Sequence, residues 1–134
     1  MPKMPIIYEL ITPIKADRGD KVLVFNRLLF DTYLDNGNYY IGLLQKGRRH
    51  NDVAARYDLT VNTEYIFLPN AMTFNNVDWV VWSKVIPALV KSGFCWPLHN
   101  RQIDGYPMFG FDFNKGIKQL TQTSATGLHE EGAL

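Results

Sequence analysis

The chain has 134 residues, with 14 Lys and Arg against 13 Asp and Glu for a formal net charge of +1. Hydrophobic residues make up 46% and charged residues 20%, which excludes a disordered, collagen-like or coiled-coil chain and fits one domain able to bury a core. The even charge gives no bulk sign of a duplex-DNA binder, whose binding face is strongly basic.

In chain order, Ile6 to Ile11 is a short β-forming stretch ended by Pro13, and Lys15 to Asp20 reads as a turn. The tripeptide Arg18-Gly19-Asp20 falls in that turn and carries no further meaning on three letters. Lys21 to Phe25 is a nearly continuous apolar run, as a doubly buried strand would be. Leu28, Phe30, Thr32 and Leu34 alternate, Asn36-Gly37 follows, and Tyr39, Ile41 and Leu43 alternate again. That pattern predicts a β-hairpin closed by a type I′ turn. Lys46 to His50 is a polar loop, after which Asn51 or Asp52 could cap a short helix through Tyr57. Thr60 to Leu68 reads as another strand, stopped by Pro69.

Asn75 or Asn76 as N-cap and Gly93 past the end bracket the one substantial helix, Val77 to Ser92, or about 76–92 with its caps. At 100° per residue Trp79, Trp82, Val85, Ile86, Leu89 and Val90 share one apolar face. Pro87 should kink the helix or divide it. Val77, Val80 and Val81 fall on the other side, so the first half is apolar almost all round and needs a second cover. Pro69–Phe74 of the same chain or another subunit could supply it. Phe94 to Leu98 reads as a strand, and Asp104-Gly105-Tyr106-Pro107 reads as a hairpin-like turn between 101–103 and 108–113, where Phe109, Phe111 and Phe113 alternate.

The expected fold is α+β: an antiparallel sheet of five to seven strands with the helix packed across one face. Trp79, Trp82 and the three alternating phenylalanines are expected to supply much of the core. Residues 1–120 form the single compact domain, and 121–134 form a polar tail, mobile unless a partner orders it. No stretch reaches the ~20 apolar residues of a membrane span, no secretion signal opens the chain, and the lone Cys95 excludes an intrachain disulfide. A cytoplasmic setting, host cytoplasm or virion for a virus-encoded product, is the expectation.

No sequence motif for nucleotide, metal or nucleophile chemistry is present, and no cofactor or metal is expected. Cys95 and His99 are the only cysteine–histidine pairing that could serve an enzyme, but Gly-Phe-Cys-Trp-Pro is an apolar setting suited to an inert core thiol. The leading expectation is a non-catalytic protein that binds other protein chains or its own copies, with Val77, Val80, Val81, Tyr39 and Tyr40 as candidate contacts. The alternative is a single-stranded nucleic-acid binder using Lys46, Arg48, Arg49, Arg56 and Tyr57, where cations meet phosphates and aromatics stack on bases.

Overall fold

The computed structural model describes residues 5–49 and 52–120, and the backbone of 129–130. Its fold is α+β, with two sheets rather than one. The larger sheet has the order β8-β1-β2-β3-β4-β9, and the smaller has the order β5-β7-β6. The strands are β1 (Ile6–Arg18), β2 (Lys21–Thr32), β3 (Tyr39–Lys46), β4 (Asp52–Asp58), β5 (Ala71–Thr73), β6 (Cys95–Ile103), β7 (Tyr106–Phe111), β8 (Ile117–Gln119) and β9 (His129–Glu130). All pairings are antiparallel except β4 with β9. Of the expected tail, only His129–Glu130 is described, and it sits at the edge of the larger sheet against Asp52 and Val53; the rest of that expectation falls outside the described residues.

Pro13 does not end the first strand. Four residues of β1, Leu10 to Pro13, oppose one residue of β2 between the pairs Glu9–Arg27 and Ile14–Phe25. This bulge absorbs the proline, whose missing N–H cannot join a ladder. β2 likewise runs unbroken through both stretches that read as separate strands. The hairpin from β2 to β3 is present, but its loop spans 33–38 and only Gly37 takes a positive φ. The type I′ geometry occurs instead at Asp104 (φ 55°) and Gly105 (φ 83°), between the paired Ile103 and Tyr106.

The short helix expected after Asp52 is strand β4. Pairing with β3 outweighs local propensity here, and a bulge at Ala54 lets Val53 join Ile7 and Leu44 in a small buried cluster on the opposite face of the sheet while Tyr57 faces the main core. The strand expected over Thr60–Leu68 is an irregular loop after its first residues, where Thr60 forms an isolated β-bridge with Phe74.

The helix is shorter and differently rotated than its periodicity implies. Asn75 Oδ1 accepts from the N–H groups of Val77 and Asp78, so the expected cap forms. A π-helical turn, Val81–Val85, then leads into α1 (Ile86–Lys91), with Ile86 N–H reaching back to Val81 O. Pro87 lies in the first turn of α1, where its missing N–H costs least. At the far end Phe94 N–H bonds Leu89 O and Gly93 N–H bonds Val90 O, with Gly93 at φ 84°, a Schellman close.

A π-turn holds one more residue than an α-turn, so it shifts the facing of the helix by about 100°. Val80, Val81, Val85, Ile86 and Leu89 therefore face the core. Trp79 and Trp82, expected inside, are 60% and 39% exposed. The core lies between the inner face of the larger sheet, the smaller sheet and this helix. Phe109 and Phe111 are buried in it as expected, and Phe113 packs on it from a half-buried position. Phe30, Phe111 and Phe113 meet edge-on or tilted at 4.5–6.5 Å, with Tyr8 stacked on Phe113. No helix among the described residues is long and apolar enough to cross a membrane.

Candidate functional site

The loop over 61–70 owes its irregular shape to one side chain. Asn38, at the foot of β3, is only 7% exposed. Its Nδ2 lies within 3.0–3.2 Å of Asn62 Oδ1, Thr63 O and Glu64 O, acceptors that share its two hydrogens. Its Oδ1 accepts from Ile66 N–H at 3.0 Å. Asn36 adds a bond from Nδ2 to Thr63 O and accepts from Asn38 N–H. Backbone groups that a sheet ladder would have used are thus satisfied by an amide side chain, which explains why an apolar run forms no strand. Thr73 holds the start of the loop, donating through Oγ1 to Val61 O at 2.7 Å while its carbonyl accepts from Val61 N–H.

The clamp leaves the loop's largest side chains outside. Ile66 is the inward anchor, packed with Ala71 and Met108. Its neighbours Tyr65 and Phe67 are 51% and 88% exposed and meet edge-on, ring centroids 4.8 Å apart. Leu68 is exposed beside them, and Leu34 projects from the adjoining 33–38 loop. Between the two loops lies a cleft of about 160 Å³, lined by Asn38, Tyr39, Phe67 and Pro69 among others. Across the same face of the smaller sheet, Ala71, Gly110 and Trp96 stand in register. The Trp96 indole packs against Gly110, where a Cβ would come within 2.6 Å of Nε1; only glycine admits the ring there.

The candidate contacts read from the sequence are distributed otherwise. Val80 and Val81 are buried in this chain's own core and present no surface, because the π-turn rotates them inward. Val77 is exposed. Tyr39 and Tyr40 are adjacent on a strand and so point to opposite faces. Tyr39 packs in the core against Phe30 and Phe111. Tyr40 donates to Asp58 Oδ1 at 2.7 Å on the outer face, and burial followed by that bond raises its hydroxyl above the ordinary tyrosine value.

The basic and aromatic residues of the alternative reading divide in the same way. Arg56 lies on the outer face, its stem closing over Gly42 with Tyr40, whereas Tyr57 faces inward against Phe25. Lys46, Arg48 and Arg49 are exposed at the end of β3 and the loop beyond. A different set gathers around Tyr57: Arg18 Nη1 donates to its hydroxyl at 3.3 Å, and Asp78 and Trp79 complete a cleft of about 280 Å³. Lys84 Nζ stands 5.3 Å from the Trp79 ring.

Cys95 and His99 are not brought together. Cys95 is 1% exposed in the core and burial pushes its thiol up to about 12, while His99 lies on the exposed part of β6. Among the described residues no group of three or more His, Cys, Asp or Glu side chains is placed to hold a metal ion. Tyr65, Phe67, Trp96 and Arg18 carried no periodic signal. The one available sign was Pro69 directly after an apolar run, which could have marked a loop as readily as a strand end. No family model, curated protein or solved structure matches the chain.

Proposed function

We propose that the chain is a non-catalytic protein-binding protein whose contact surface is centred on Tyr65 and Phe67. The observation that carries this reading is the pairing of two exposed aromatic rings with a buried asparagine that fixes the loop beneath them. Aromatic anchors supply most of the energy at protein interfaces, and a loop already held in place loses less entropy on binding. Leu68, exposed in the same loop, extends the apolar area, and the near-zero net charge suits association by packing rather than long-range attraction. A cytoplasmic or virion setting belongs to the same proposal.

A photo-crosslinking amino acid at position 67, in the full chain expressed in its source cell, tests it. The expected result is a discrete adduct that disappears when Tyr65→Ala is added and persists when the crosslinker partner variant is Ile11→Ala. Absence of an adduct, or one indifferent to Tyr65→Ala, overturns the reading.

A second reading, single-stranded nucleic-acid binding, is favoured by one observation, the Arg18–Tyr57–Trp79 cleft. An aromatic platform beside a guanidinium is the arrangement on which bases stack. Quenching of tryptophan fluorescence by oligothymidylate over a salt series decides it: binding that weakens steeply with salt supports this reading, and no quenching at low salt removes it.

A further inference from the structure

A second surface, sharing no residue with the Tyr65–Phe67 loop, lies along β1. β8 pairs with β1 only at Tyr8, Glu9 and Leu10. One further bond, from Ile11 N–H to Gly116 O at 3.0 Å, marks the last contact before the two chains part. Gly116 is packed against Ser92, at the end of α1: a Cβ there would lie 2.7 Å from Ser92 Oγ. The chain leading into β8 has therefore swung away from the sheet toward the helix. From Ile14 to Arg18 the inner edge of β1 pairs with β2, and its outer edge pairs with no strand among the described residues.

The opening between α1 and the bulge of β1, with Ile14 and Lys15 at the start of this edge, is a groove of about 490 Å³, within the range of sites that bind ligands. Leu10, Ile11 and Pro13 line one side and Ala88 and Leu89 the other. Lys15 and Lys91 line it as well, and no carboxylate does. The start of an unpaired strand edge, an apolar trough and two cations coincide. A strand edge beside a helix offers main-chain bonds for affinity and a side-chain pocket for selection.

We propose that this groove takes an extended peptide segment of a partner protein, added as a strand to β1, with an apolar side chain between Ile11 and Leu89 and a carboxylate facing Lys15 and Lys91. Pro13 has no N–H to offer, so main-chain pairing begins at Ile14 and runs toward Arg18. The ladder is short, which makes the apolar pocket and the lysines the source of selectivity. The bulge that carries Pro13 keeps longer strands from adding along the whole edge, so the site accepts a segment without inviting edge-to-edge aggregation.

The test uses a phage-displayed random dodecapeptide library panned against the intact chain, with the most enriched peptide then made synthetically. The expected peptides carry Asp or Glu next to a large apolar residue. The synthetic peptide slows amide exchange within Ile14–Arg18, loses affinity about tenfold against a K15E/K91E variant, and keeps it against Phe67→Ala. Both lysines are exposed or at the groove rim, so the variant folds as the parent does. N-methylation of alternate peptide amides abolishes binding in one register and spares it in the other. Failure to enrich any peptide, or peptides that leave those amides unprotected and bind K15E/K91E as well as the parent, overturns the proposal whatever the crosslinking at position 67 shows.

Discussion

Two groups of aromatic rings in this molecule meet at nearly the same spacing and do opposite things. Phe30 and Phe113 lie 4.5 Å apart and edge-on inside the core, with Phe111, Phe94, Tyr8 and Tyr39 around them. Tyr65 and Phe67 lie 4.8 Å apart, also edge-on, in solvent. In the first group, loss of water contact holds the rings and the rings hold the two sheets together. In the second, the rings hold nothing. They are carried by a backbone fixed through Asn38, whose polar atoms do for the loop what apolar burial does for the core. A ring pair is therefore no sign of a core; what lies beneath it decides its role.

That contrast has measurable consequences. The largest effect is expected from Phe111→Ala, which removes the ring shared by both sheets and should cost about 3–5 kcal/mol in denaturant unfolding; a cost below about 1 kcal/mol would show that the core does not depend on this cluster. Asn38→Ala comes next, at about 1–3 kcal/mol, because Ile66 N–H loses its partner and the carbonyls of Thr63 and Glu64 each lose one donor. The same variant should speed amide exchange at Ile66 and weaken the adduct formed from position 67, whereas Phe111→Ala lowers stability without changing that surface in the molecules that remain folded.

Cys95 gives a smaller, pH-dependent effect. Its raised pKa means the folded chain keeps a thiol proton that the unfolded chain releases above pH 9. Stability from this group is thus complete below pH 9 and declines between about pH 9 and 12, by at most about 1.4 kcal/mol per pH unit. Tyr8, Tyr33 and Tyr40 act in the same direction above their ordinary value of 10.0, so the diagnostic window is pH 9 to 10. There Cys95→Ala should flatten the slope, and an unchanged slope would assign it elsewhere. Smallest of all, Phe67→Ala should alter stability by no more than about 0.5 kcal/mol, even as it removes the proposed anchor.

The sequence exposed the parts of this arrangement that rest on local chemistry. Asn75 as a cap, Gly93 as the helix stop, the hairpin after β2 and the burial of Phe109 and Phe111 all follow from neighbours in the chain. What it hid depends on partners far away. β4 is a strand because β3 lies beside it, and the 61–70 segment is a loop because Asn38, 24 to 28 residues earlier, takes its hydrogen bonds. The candidate surface was hidden for that reason: Tyr65 and Phe67, two residues apart, would share one side of the strand expected over Thr60–Leu68, and nothing local announces the clamp. The valines were misplaced by a different cause, a single π-turn that uniform periodicity cannot contain.

That turn has a consequence for how this chain tolerates change in length. A π-turn is equivalent to one residue inserted into an α-helix. Deleting Ser83 or Lys84 would let the segment close as an ordinary α-helix while keeping Val80 and Val81 on the face of Ile86 and Leu89. Closing the full-length segment with uniform α-turns would instead rotate those valines toward solvent and the two indoles toward the core. Two alternative faces are thus written into residues 79–91, and the difference between them is whether Ile86 N–H reaches back five residues, as it does to Val81, or four.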